Sequence, residues 1–168
     1  MQKRKLTLIL SLLLACFTLV SITSSASAAT LAPRTALLRE INRVRHLHGL
    51  APVYSAPKLQ AAANRHSDDM MAHHYFGHTS PTGSSVYSRI VGSGFVNGYS
   101  WVGGETLAWG TGSLATALGT VNAWLASPEH RSIMLSPTYR WVGISRTCGT
   151  YEGHASACVW TADWVKRS

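Results

Sequence analysis

Acidic residues are scarce in this 168-residue chain: seven aspartates and glutamates stand against fifteen lysines and arginines. A surface of that sign suits anionic envelope polymers or phospholipid headgroups, and it is silent about fold. Cysteine is scarcer still, at three residues, and no two of them form a CxxC pair, which excludes a thioredoxin-like redox motif. The zinc-protease pattern HExxH is absent, because Glu129-His130 has no second histidine four residues on. No G-x-S-x-G elbow occurs either, so an α/β-hydrolase triad has no support. Internal repeats, low-complexity tracts and a linker to a second domain are all missing. No tight lysine–arginine cluster interleaved with aromatics appears, and nucleic acid is therefore not expected as a partner.

What is present begins with an export signal. Lys3, Arg4 and Lys5 precede an apolar run that ends in small residues at Ala26-Ser27-Ala28. That order is a basic n-region, an apolar h-region and an A-x-A cleavage site, which predicts a signal peptide over 1–28 and one domain over 29–168. Ser21, Thr23 and Ser24 break the apolar run, so no membrane span is expected after cleavage. "LLAC" at 13–16 offers a rival reading, a lipoprotein box that would leave Cys16 as a lipidated terminus. Without the first 28 residues the balance is twelve basic to seven acidic, on a chain long enough for one core. Secretion or attachment to the cell envelope is the expected location.

Removal of the signal leaves Cys148 and Cys158. An even pair in an exported chain reads as a disulfide, and Gly149 and Gly153 between them suit a hairpin turn. The flanking segments "RWVGISRTC" and "SACVWTADWV" alternate like two antiparallel strands. Upstream, Leu37, Leu38, Ile41, Val44 and Leu47 recur at helical spacing before Gly49. A second helix opens at Pro57 and carries Leu59, Ala62, Ala63, His66 and Met70 on one face, with Gly77 ending it at Phe76. Residues 77–105 are rich in Gly and Ser and read as loop, with short ordered pieces at "VYSRIV" and "GYSWVG". A third helix is predicted from a Ser113 cap, packing Leu114, Leu118, Val121 and Leu125. Ser127 and Pro128 announce a short fourth. Helices first and a hairpin last give an α+β fold, a small antiparallel sheet covered by helices.

Eight histidines are a high count for this length, and "HHYFGH" at 73–78 is the densest group. Four segments occur in order: "INRVRHLHGL", "HSDDMMAHHYFGHTS", "GGETLAWG" and "AWLASPEHRSIMLSPTYRWVGIS". Together they resemble the CAP superfamily, or SCP domain, of cysteine-rich secretory, antigen 5 and pathogenesis-related proteins. The similarity is to its bacterial secreted branch and runs from about residue 33 to 164. It implies a three-layer α-β-α sandwich with a central cleft of two histidines and two acidic residues, able to hold a divalent ion such as zinc. Position by position, His78 matches the histidine of the "fgH" motif, Glu105 the glutamate of "GEN" (with Thr106 in place of asparagine), and His130 the histidine of the bacterial helix motif. Glu129 is the fourth candidate ligand. Two imidazoles and a carboxylate suit a borderline metal with one position open to water, and without metal His78, Glu105 and His130 are candidates for acid–base catalysis. Trp101 and Trp109, flanking Glu105, are candidate cleft walls. Two function classes stay open: a secreted module binding a lipid, an envelope glycan or a protein, and a hydrolase of peptide or envelope substrates, with Ser80, Thr79 or Thr106 as possible hydroxyl nucleophiles.

Overall fold

A computed structural model describes residues 32–168. The expected signal peptide and Cys16 lie outside the described residues. Five helices and four strands follow one another: α1 (Pro33–Leu47), β1 (Tyr54–Ser55), α2 (Pro57–His73), α3 (Val86–Gly92), β2 (Trp101–Gly110), α4 (Ala117–Ala126), α5 (Pro128–Met134), β3 (Trp141–Tyr151) and β4 (His154–Arg167). The strands form one sheet in the order β1-β3-β4-β2, antiparallel except for the short parallel β1–β3 pairing. Cys148 and Cys158 sit opposite each other on β3 and β4 and are bonded, as expected for the hairpin.

Alternation along β4 explains the layering. Trp160, Ala162 and Trp164 point to one face, where they pack with Leu37 and Ile41 of α1, Val121 and Trp124 of α4 and Met134 of α5. Val159 and Val165 point to the other face, towards Met70 and Leu59 of α2 and Ile90 of α3. Side chains two residues apart share a face of a pleated strand, so β4 is lined with apolar groups on both sides. The result is the three-layer sandwich that the family resemblance implies.

Several elements differ from expectation. α2 stops at His73, three residues early, because His74 adopts a left-handed conformation (φ 51°) while its N–H still reaches Met70 O. The third helix is split into a 3₁₀ turn at Gly112–Ala115 and α4, whose cap is Thr116 and not Ser113. Leu114 and Leu118 are consequently exposed, and Thr120, Val121 and Trp124 form the buried face. Leu47 is exposed at the end of α1, where Arg45 is buried instead. Its guanidinium donates to the carbonyls of Met134 and Ser136 and ties α1 to the end of α5. Glu105, expected in a glycine-rich loop, lies within the ten-residue strand β2.

Candidate functional site

Glu105 is the centre of the site. It stands on β2, almost fully buried, and points to the α2–α3 side of the sheet. Each of its oxygens has a partner: Oε1 accepts from His78 Nδ1 at 2.7 Å and Oε2 accepts from Arg89 Nη2 at 2.7 Å. Arg89 comes from α3 and also donates to the carbonyls of Ser84 and His78, so one guanidinium fixes both the carboxylate and the loop that carries the histidine. A charge-assisted pair of this kind has two strong hydrogen-bonded ends. Although burial opposes ionisation, His78 and Arg89 hold the Glu105 carboxyl below its ordinary range.

Two histidines face the cleft beside it. His78 stands on the loop after α2, half exposed, and its hydrogen bond to Glu105 raises its pKa. His130 enters from the first turn of α5, where Ser127 caps the helix. Burial and the neighbouring His78 lower its pKa. The two rings are 6.4 Å apart between centroids. One imidazole is therefore biased towards the cation and the other towards the neutral form, across a gap. Glu129 is exposed on the first turn of α5, and its charge acts on both imidazoles without a hydrogen bond to either.

Three residues of the site carried no separate functional signal in the sequence. Arg89 is one. His66, recognised only as part of the buried face of α2, is another: its Nε2–H donates to Gly77 O at 3.0 Å, and it lies 3.7 Å from Glu105. Burial lowers its pKa, so this contact is not an ion pair at neutral pH. The third is Asp163, directly across the ladder from Glu105 and fully buried. As a carboxylate it would have no donor for either oxygen. Burial and Glu105 raise its pKa well above the ordinary 3.8, and the neutral acid can donate to Glu105. Two adjacent carboxyls thus share one negative charge, with the proton on Asp163.

Asp163→Asn keeps the shape and removes the need for that proton. A raised folded-state pKa gives stability that is complete below the unfolded value and declines as pH rises towards the folded one. The Asp163 contribution to stability should therefore decline with rising pH above about 3.8, so the asparagine variant should gain on the wild type as pH rises and be the more stable at pH 7. Urea denaturation across the pH range checks this, and parallel stability curves would sink it.

The four-residue metal set does not assemble. Glu105 has spent both oxygens on His78 and Arg89 and stands behind the imidazole, as a carboxylate that orients it. Among the described residues no three His, Cys, Asp or Glu side chains converge as ligands. A tetrahedral zinc site takes at least three protein donors, and these residues do not fit one. The hydroxyls named as possible nucleophiles are also engaged or remote. Ser80 Oγ pairs with Thr82 and accepts from Ser84 N–H, Thr106 Oγ1 accepts from Trp164 Nε1, and Thr79 bonds to neither imidazole.

The cleft continues from His78 and Glu105 into a cavity of about 620 Å³ walled by Val86, Tyr87, Ile90 and Trp101 and floored by Gly103 and Gly104. Tyr87 stacks on Trp101 with centroids 5.1 Å apart. Trp101 thus lines this cavity. Trp109 does not: at the far end of β2 it packs on Tyr151 and His154.

A family model described as "CAP: Cysteine-rich secretory protein family" matches residues 38–163. The chain belongs to the CAP family. YkwD of Bacillus subtilis, itself uncharacterized, is 29% identical over 143 residues, which is 85% of this chain and 51% of that protein. The chain thus spans about half the length of that curated relative. Among solved structures, an outer surface protein of Borrelia burgdorferi shares the fold with a TM-score of 0.67 and 20% identity, over 82% of this chain and 97% of that one. An extracellular SCP-domain protein of Bacillus anthracis does so with a TM-score of 0.63 and 22% identity, over 83% and 45%. Among the described residues of this CAP protein, no helix is long and apolar enough to cross a membrane.

Proposed function

We propose that this is a secreted or envelope-associated CAP protein that holds a ligand in the cleft between α3, β2 and α5. The observation that carries the reading is one cavity that joins the His78 imidazole, backed by the buried, Arg89-paired Glu105 carboxylate, to an open aromatic wall, with the His130 ring 6.4 Å from that of His78. Binding sites combine apolar lining with a few convergent polar groups in this way. His78 supplies a donor for a ligand oxygen, His130 a neutral imidazole, and Tyr87 with Trp101 a surface for an apolar or ring-shaped portion. Hydrolysis is the weaker reading, because no hydroxyl is hydrogen-bonded to either imidazole and Glu105 has no free oxygen with which to act as a base. The names of the similar structures, an outer surface protein and an extracellular protein, agree with this location.

The test presents three ligand classes to the protein, namely a strand-forming peptide, an N-acetylglucosamine oligomer and phosphatidylglycerol vesicles, and reads tryptophan fluorescence. One class should bind and lose about tenfold or more in affinity in both His78→Ala and Trp101→Ala. Binding indifferent to both substitutions, or no binding by any class, would overturn the cleft reading.

A further inference from the structure

The cleft is bordered by a sheet edge. β2 is the last strand in the order β1-β3-β4-β2, so one side of its backbone has no strand beside it. The hydrogen-bond phase says which peptide groups face outward. Ser100 and Ser168 exchange both N–H···O bonds, and Trp101 pairs with Arg167 next in register. In an antiparallel ladder bonded and non-bonded pairs alternate. With no register shift along β2–β4, the backbone groups of Trp101, Gly103, Glu105, Leu107 and Trp109 point away from β4. Trp124 supports this phase independently, since its indole Nε1 donates to the outward carbonyl of Leu107 at 2.9 Å. That contact closes the middle of the edge. Towards the start of the strand, the peptide groups of Trp101 and Gly103 and of the cleft-lining Glu105 find no partner among the described residues.

Building on the cleft reading above, we infer that the ligand is an extended peptide that adds as a strand to the outer edge of β2 at Trp101–Glu105. Alternating N–H and C=O groups along an open edge are complementary to another extended backbone, and to few other ligands. An added strand would lie about 4.8 Å from β2. A Cβ at Gly103 would come within 2.9 Å of the Trp101 and Ile90 side chains, so glycine here lets those two cavity walls lie against the strand. An incoming residue opposite it projects to the same face, into the space bounded by Val86, Tyr87 and Trp101. An apolar or aromatic side chain fits there. Lys166, exposed and paired with Val102, lies at the start of this stretch, and the described chain carries twelve basic to seven acidic residues. Charge complementarity therefore favours a peptide with acidic flanks.

The probe is a synthetic peptide of alternating valine and threonine with a central phenylalanine and aspartates at both ends, read by amide hydrogen exchange in NMR. In the free protein the Trp101 and Gly103 amides should exchange fast, while those of Val102 and Gly104, which bond β4, are slow. Peptide should protect Trp101 and Gly103, and N-methylation of alternate peptide nitrogens should weaken binding by about tenfold or more. Equal affinity of the methylated peptide, or binding that leaves those two amides unprotected, would overturn the strand. An N-acetylglucosamine oligomer or vesicle that binds in a Trp101-dependent way, where the peptide does not bind, would overturn it too and leave the cleft reading standing. Failure of all three ligands would remove both.

Discussion

Replacing Arg89 with leucine is expected to destabilise the protein by about 3–5 kcal/mol at pH 7, the range for removing one partner of a buried ion pair. The guanidinium is buried, and it is the only permanent cation bonded to Glu105 among the described residues. Without it, the Glu105 carboxylate keeps only the half-exposed His78 as a donor, while the neutral Asp163 can supply one more bond. The carbonyls of Ser84 and His78 lose their donor as well. For a domain of this size the deficit corresponds to a fall of roughly 10–17 °C in Tm. Its pH dependence distinguishes lost charge compensation from lost packing. Arg89 holds the Glu105 pKa down, so the variant carboxyl should take up a proton at a higher pH and the deficit should shrink on acidification. Adding Glu105→Gln to the variant should restore part of the stability, a coupling that a double-mutant cycle measures. A loss below about 1 kcal/mol, or one unchanged between pH 7 and pH 4.5, would show that Arg89 does not organise the site.

Gly143→Ala should be equally damaging for a different reason. Gly143 is on β3, opposite Asp163, and faces α2. A Cβ there would run into the backbone of Leu59 and come within 2.5 Å of Gln60 N. Backbone in a helix cannot turn aside as a side chain can, so α2 would have to lift from the sheet, taking His66 with it. Overpacking typically costs 1–3 kcal/mol, and with no flexible atom to yield we expect about 3 kcal/mol or more. Gly149→Ala is the control. It meets only the Met71 side chain, at 3.2 Å for the sulfur, and should cost less than about 1 kcal/mol. Chemical denaturation of the two variants side by side checks the argument, and similar losses would refute it.

The fold was largely legible in the sequence because its long elements follow simple periods. The faces of α1 and α2 and the β3–β4 hairpin show the expected spacing of apolar residues. β2 was not legible: its first residues include two glycines, which weaken a strand pattern, and it is held by pairing with β4 along ten residues. The 3₁₀ turn before α4 was hidden by an apolar spacing that continues through it, so Leu114 and Leu118 looked like core. Of the site, His78, Glu105 and His130 came from motif resemblance, and the structure gathers all three around one cleft. Arg89 and Asp163 had no local signature, because their roles arise from tertiary contact with Glu105, across the sheet and from α3.

The strand order has a consequence for how the chain comes into being. The sheet is centred on β3 and β4, which are synthesised after α1 and α2. Leu37 and Ile41 of α1 share a core with Trp160 and Trp164 of β4, and Leu59 and Met70 of α2 share theirs with Val165 and Val159 of β4. At about 5–20 residues per second on the ribosome, α2 spends on the order of ten seconds without the surface it is shaped to cover. Isolated helices of this length are marginal in water, so the nascent chain has no stable intermediate to settle into during that interval. Folding is thereby postponed until the β3–β4 hairpin emerges, and until then the helices stay open to any factor that binds an unfolded chain.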